Sequence, residues 1–155
     1  MPYTIEVTEA APQTIASTRI RTNRASIAAD IGSGFGAVME AMVKESAVAT
    51  GAPLLVYHDV IDDTTDGDIE ICVPVAGPLA GSGGVSTREL EGGTVATTIH
   101  RGPYPEIGAA YEATMAWIAE HGREMTGPPR EIYLNDPQTV PPADLLTRVE
   151  FPIAP

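Results

Sequence analysis

The 155-residue chain has few of the residues that define several common protein classes. Cys72 is its single cysteine, so no internal disulfide can form. Only 9 residues are Lys or Arg, against 21 Asp or Glu, which gives a formal net charge of -12. Because a nucleic-acid backbone needs a basic patch, direct nucleic-acid binding is disfavoured. An acidic surface favours a cationic ligand or a basic protein partner, or it serves solubility alone.

The sequence also lacks the patterns of membrane proteins and of common enzymes. No apolar run reaches membrane-spanning length, and "MPYTIEVTEA" carries no signal pattern, so we expect a cytoplasmic location. The three histidines show no metal-ligand spacing, and neither a G-x-S-x-G elbow nor a phosphate loop is present. We therefore expect no metal site and no cofactor.

The chain does contain an internal repeat. Three segments recur in the same order: "VTEAAPQTIASTR" resembles "TRELEGGTVATTIHR", "GAPLLVYHD" resembles "GPPREIYLND", and "IEICVPV" resembles "LTRVEFPI". The repeat predicts one domain over residues 1–155, made of half-repeats at about 1–77 and 84–155. "AGPLAGSGG" is predicted to be a flexible joiner between them.

Each half-repeat is predicted to have a β-β-α-β-β order. The fold class is therefore α+β with antiparallel sheet, a pseudo-two-fold relation and a central ligand groove. Pro74 and Pro152 lack an N–H, so we expect them at strand ends or edges. The strands are predicted at about 3–8, 13–20, 53–60, 68–75, 85–90, 94–100, 130–135 and 146–153.

The two helices differ in the quality of their patterns. The second follows Pro105, ends before Gly122 and carries a regular stripe of Ile107, Tyr111, Thr114 and Ile118. The first, at about 25–48, contains three glycines in "IGSGFGAV", which favours a frayed helix or two short ones. The alternative is that these small residues let a ligand approach closely beside Phe35.

A short strand in "GPPREIYLND" supplies the main candidate site. Alternation lets Ile132 and Leu134 point into a core, and places Glu131 and Tyr133 together on the opposite face. That face is either a solvated edge or the floor of a pocket. If it is a pocket, the aromatic ring and the carboxylate suit a flat or cationic lipophilic ligand.

Several motifs together resemble the GyrI-like family, which includes effector-binding domains of transcription activators. They are "HRGPY", "AYEATMAWIAEHG", "GPPREIYLNDP", the terminal "TRVEFPI" and the duplicated layout. The resemblance implies a groove for lipophilic, often cationic, compounds, with Glu131 as its key polar group and Tyr133 beside it. Because 155 residues leave no room for an additional helix-turn-helix domain, we expect a stand-alone member, which puts direct transcriptional control in doubt.

Three functions remain open at this point. The first is a receptor or sequestering protein for a lipophilic cation. The second is a hydrolase that opens strained, cyclopropane-type rings with Glu131 and Tyr133 as catalytic residues. The third is a gyrase-inhibitor-like interaction protein with a basic partner, and a homodimer is a further candidate assembly. The predicted ligand-binding residues are Glu131, Tyr133, Tyr57, Tyr104, Phe35 and Trp117.

Overall fold

The structure is a computed structural model that describes residues 3–155. It contains eight strands and two α-helices. In chain order they are β1 (Glu6–Ala10), β2 (Gln13–Thr22), α1 (Ile27–Lys44), β3 (Leu54–Tyr57), β4 (Gly67–Pro74), β5 (Ser86–Leu90), β6 (Gly93–Arg101), α2 (Gly108–Glu120), β7 (Arg130–Tyr133) and β8 (Leu146–Pro152).

The chain forms two compact units. The N-terminal unit is Pro12–Glu91, and the C-terminal unit combines the residues up to Ala11 with Gly92–Pro155. Strands in the N-terminal unit follow the order β3-β4-β2-β5, and those in the C-terminal unit the order β1-β6-β8-β7. Neighbouring strands within each unit are antiparallel. The predicted α+β class with antiparallel sheet is confirmed.

Two strand pairs, one in each unit, have the same register relative to a proline. In the N-terminal unit Leu55 lies opposite Ile71, and in the C-terminal unit Glu131 lies opposite Val149. Each pair occupies the same place relative to the proline that ends β4 or β8. Leu55 and Glu131 therefore occupy matching positions in their strand pairs.

The two compact units do not coincide with the two half-repeats, because each unit takes one strand from the other half-repeat. Strand β1 pairs with β6 and strand β5 pairs with β2, so each unit contains the first strand of the other half-repeat. Ala11 and Pro12, between β1 and β2, therefore connect two units instead of forming a hairpin turn. Consecutive strands pair through a loop at β3–β4 and β7–β8, as expected.

Helix α1 corrects the expectation of a frayed or divided helix. It runs unbroken through all three glycines. A Cβ at Gly34 would collide with the Ile71 side chain, whereas one at Gly32 or Gly36 would meet nothing within 4 Å. Gly34 thus brings the helix close to β4, and this packing against the sheet offsets the low helix propensity of glycine.

Helix α2 follows a short 3-10 helix, Tyr104–Glu106, in which Pro105 lies. Gly122 follows its end with a φ of 62°, a left-handed conformation that glycine adopts without steric cost. The buried helix residues Ala110, Thr114 and Ile118 pack toward the sheet of the same unit. No helix within residues 3–155 is long and apolar enough to cross a membrane.

Candidate functional site

Glu131 is buried in the C-terminal unit. Its exposed fraction is 6%, so the carboxylate does not sit on a solvated edge. Its register partner, Val149, belongs to the apolar cluster that packs against α2, so Glu131 faces the helix. Ile132 and Leu134, which the alternation placed in the core, are only half-buried. Glu131 is therefore more buried than the neighbouring apolar residues Ile132 and Leu134.

Two tyrosine hydroxyls hold the Glu131 carboxylate. Tyr111, on α2, donates to Oε2 at 2.6 Å, and Tyr133, on the same strand, donates to Oε1 at 3.0 Å. The first distance is typical of a strong hydrogen bond to an ionised acceptor. Removing a carboxylate from water costs several kcal/mol, and these bonds offset part of that cost. A neutral phenol donates a hydrogen bond without adding positive charge.

Tyr104 adds a third ring to the cluster. It packs edge-on against Tyr133, with ring centroids 5.5 Å apart and planes at 73°. Burial raises the pKa of the Tyr104 hydroxyl, and the negative charges of Asp136 and Glu131 raise it further. We call Glu131, Tyr104, Tyr111 and Tyr133 the tyrosine–glutamate cluster. It combines aromatic surface with a negative electrostatic field.

The other three predicted ligand-binding residues have the following neighbours within their own units. Trp117 stacks on His121 with centroids 4.0 Å apart and packs against the apolar cluster of the C-terminal unit. Tyr57 ends β3 and Phe35 packs against the apolar cluster beneath α1, both in the N-terminal unit. The structure thus brings Glu131, Tyr133 and Tyr104 together. The ligand-binding roles of all six residues stay predictions.

Tyr111 was missed as a site residue by the sequence reasoning. It was recognised on the apolar stripe of the second helix and was assigned to packing there. Its ring does pack edge-on against Phe151, with centroids 5.6 Å apart, while its hydroxyl reaches Glu131. A polar-tipped ring on a stripe that faces a strand with a buried acid is the signal that would have found it.

A surface depression of about 770 Å³ lies elsewhere on the C-terminal unit. None of the four residues of the tyrosine–glutamate cluster lines it. Its volume falls within the range of small-molecule sites. The lining residues include Tyr3, Thr97, Ile99, Arg101 and Arg148. We centre the candidate site on the buried carboxylate, because its polar groups converge on one point.

The N-terminal unit holds a second buried carboxylate, Glu70, in an ionic network. Arg88 donates to both of its oxygens, at 2.8 and 2.6 Å, and Ser17 donates to Oε2 at 2.6 Å. The Nε2 of His58 donates to Oε1 at 2.9 Å. Burial opposes ionisation, but the hydrogen bonds from Arg88, Ser17 and His58 outweigh it and lower the pKa of Glu70 to about 2. This carboxylate is fully engaged, so we assign it a structural role.

Comparison with known proteins identifies the family to which the chain belongs. A model of the GyrI-like small molecule binding domain matches residues 3–154. The chain belongs to the GyrI-like family. No curated protein sequence matches it significantly.

Solved structures of similar fold include one domain that aligns over its full length. The EcmrR C-terminal domain superposes with a TM-score of 0.86 at 25% identity, covering 99% of both chains. EcmrR in a complex with DNA gives a TM-score of 0.88 at 25% identity, and this chain spans 58% of that protein. SAV2435 bound to tetraphenylphosphonium gives 0.60 at 16% identity, covering 99% of this chain and 94% of that one, which shows the fold alone.

Proposed function

We propose that this GyrI-like domain binds a lipophilic cation at the tyrosine–glutamate cluster, with Glu131 as its key polar group. The observation that carries the proposal is a carboxylate only 6% exposed and held by phenol hydroxyls at 2.6 and 3.0 Å. A cation placed over these rings gains from both the ring quadrupoles and the carboxylate charge. The binding of tetraphenylphosphonium by SAV2435, a protein of the same fold, supports the choice of ligand class.

The charge of the ligand can be tested separately from its shape. Tetraphenylphosphonium and tetraphenylborate have nearly the same size and differ in the sign of their charge. Calorimetric titration of the wild-type protein should show binding of the cation and much weaker binding of the anion. Glu131→Gln keeps the shape of the side chain and should lower the affinity for the cation at least about tenfold, the loss expected for one charge-assisted contact.

Glu112→Gln is the matched control, because Glu112 neighbours Tyr111 on α2 but is exposed. It changes net charge by the same amount and should leave the affinity for the cation within about twofold. Equal weakening by both variants would reduce the effect to overall charge and would remove the specific role of Glu131. Equal affinity of the wild-type protein for both ions would refute the proposal.

We favour a binding function over a hydrolase function for a geometric reason. A general base has to hold a water molecule, and both Glu131 oxygens already accept hydrogen bonds from tyrosines. A catalytic water would have to use the remaining lone pairs of these oxygens, on a side chain whose exposed fraction is only 6%. Incubation with a cyclopropane-bearing alkylating compound, followed by mass spectrometry, should therefore show recovery of unchanged compound. A water adduct that disappears in Glu131→Gln would favour the enzyme.

A further inference from the structure

Thr147 carries a buried hydroxyl whose hydrogen-bonding capacity is unused within the described residues. Its side chain is fully buried, and its Oγ1 has no hydrogen-bond partner in residues 3–155. Burying an unsatisfied hydroxyl costs about 1–3 kcal/mol, and buried polar groups in proteins are seldom left without a partner. The hydroxyl therefore calls for a physical reason.

The internal repeat shows that the fold does not need this hydroxyl. On β8, Thr147 lies opposite Tyr133, and on β4 the equivalent residue, Ile69, lies opposite Tyr57. Ile69 is fully buried. The same scaffold position thus accepts an aliphatic side chain, and the threonine is not required for packing. The buried acid shows the same asymmetry, because Glu131 corresponds to Leu55.

Thr147 also adjoins the tyrosine–glutamate cluster. Its register neighbours are Tyr133 on β7 and His100 on β6. Tyr133 contacts the Tyr104 ring, and the Nε2 of His100 donates to the Pro103 carbonyl at 3.1 Å. Both neighbours therefore contact the Pro103–Tyr104 segment, so this segment lies close to Thr147. Movement of the Tyr104 ring is the simplest way for a ligand to reach the hydroxyl.

We propose that Thr147 is a second polar contact of this site, and that the preferred ligand is a lipophilic cation carrying a hydrogen-bonding group several Å from its charge. The proposal rests on the proposed function of the cluster. Glu131 attracts the cationic centre, and Thr147 forms a hydrogen bond with the second group. Thr147 lies two residues along β8 from Val149, the strand partner of Glu131. The Cα atoms of two residues in such diagonal positions on neighbouring strands lie roughly 7–8 Å apart. A threonine hydroxyl both donates and accepts, so either kind of group fits.

A matched pair of probes tests the second contact. Tetraphenylphosphonium has no hydrogen-bonding group, whereas (4-hydroxyphenyl)triphenylphosphonium adds one hydroxyl at the far edge of one ring. The wild-type protein should bind the hydroxylated probe about three- to tenfold more tightly, the range expected for one hydrogen bond. Thr147→Val, which keeps the side-chain shape, should abolish that preference and leave the affinity for tetraphenylphosphonium within about twofold.

Thermal unfolding distinguishes a ligand contact from a structural role. Without ligand, Thr147→Val should melt at the same temperature as the wild-type protein or higher, because it removes an unsatisfied buried hydroxyl. Thr114→Val is the control. Thr114 is equally buried, but its hydroxyl donates to the Ala110 carbonyl at 2.8 Å. That variant should retain the preference between the probes.

Each outcome of the titrations has a defined meaning. If the wild-type protein binds both probes equally, or if Thr147→Val keeps the preference, the role of Thr147 is refuted while the cation site stands. A lower melting temperature in Thr147→Val, with equal weakening of both probes, would assign the residue to folding and would refute the proposal as well. If the wild-type protein binds neither probe, the proposed function fails, and the inference about Thr147 fails with it.

Discussion

Replacing Glu70 with Gln should change how the stability of the protein depends on pH. The network around Glu70 lowers its pKa from 4.5 to about 2 in the folded chain. At 1.36 kcal/mol per pKa unit, this shift is worth about 3 kcal/mol. The Arg88 side chain is 40% exposed, so solvent screens the strongest partner, and we reduce the figure to about 2 kcal/mol.

The sign of the effect follows from which state ionises more readily. The folded chain releases the Glu70 proton at a lower pH than the unfolded chain does. This stabilisation is therefore fully present above pH 4.5 and is lost as the pH falls from there toward about 2. Glu70→Gln has no proton to release at this position. The difference in unfolding free energy between the wild type and the variant should shrink by about 2 kcal/mol over that range.

Urea denaturation followed by far-UV circular dichroism at several pH values from about 6 to 2.5 measures this difference. Glu89→Gln is the control, since Glu89 neighbours Arg88 on β5 but is exposed. Its difference from the wild type should stay nearly constant with pH. A difference for Glu70→Gln that stays constant across the same range would refute the account of the network.

Three further substitutions test the packing and the site separately. Gly34→Ala should destabilise the protein by about 1–3 kcal/mol in urea titrations because its Cβ collides with Ile71, whereas Gly32→Ala should stabilise it by up to about 1 kcal/mol. Equal effects of the two would contradict the close approach of α1 to β4. Tyr111→Phe should lower the free energy of unfolding by about 1–3 kcal/mol, because the buried Glu131 carboxylate loses a donor. The same variant should keep the affinity for tetraphenylphosphonium that calorimetry measures for the wild type. Weaker binding of the cation would give the Tyr111 hydroxyl a direct role in the ligand contact.

The sequence predicted the elements of this fold well because local signals and the repeat agreed. Alternating apolar residues, prolines at strand ends and glycine after the second helix each act locally, so a single sequence reveals them. The continuity of α1 was not predictable in this way. It depends on Ile71, far along the chain, which packs where Gly34 leaves room. The exchange of β1 and β5 between units likewise depends on long-range pairing.

The site was predictable only in part for the same reason. Glu131 and Tyr133 stood out because two residues on one strand share a face. Tyr111 and Thr147 did not, because their roles arise from contacts between a helix and two strands. An apolar stripe on a helix normally indicates packing, and a threonine in a strand is ordinary. Comparing the half-repeats position by position, so that Ile69 aligns with Thr147, would have identified the second residue.

A crystal structure of the protein with tetraphenylphosphonium tests the central claim most directly. The account predicts the phosphorus atom beside the Glu131 carboxylate, within about 6 Å of the ring centroids of at least two of Tyr104, Tyr111 and Tyr133. A cation seated instead in the depression lined by Arg101 and Arg148, with the tyrosine–glutamate cluster unchanged, would contradict it.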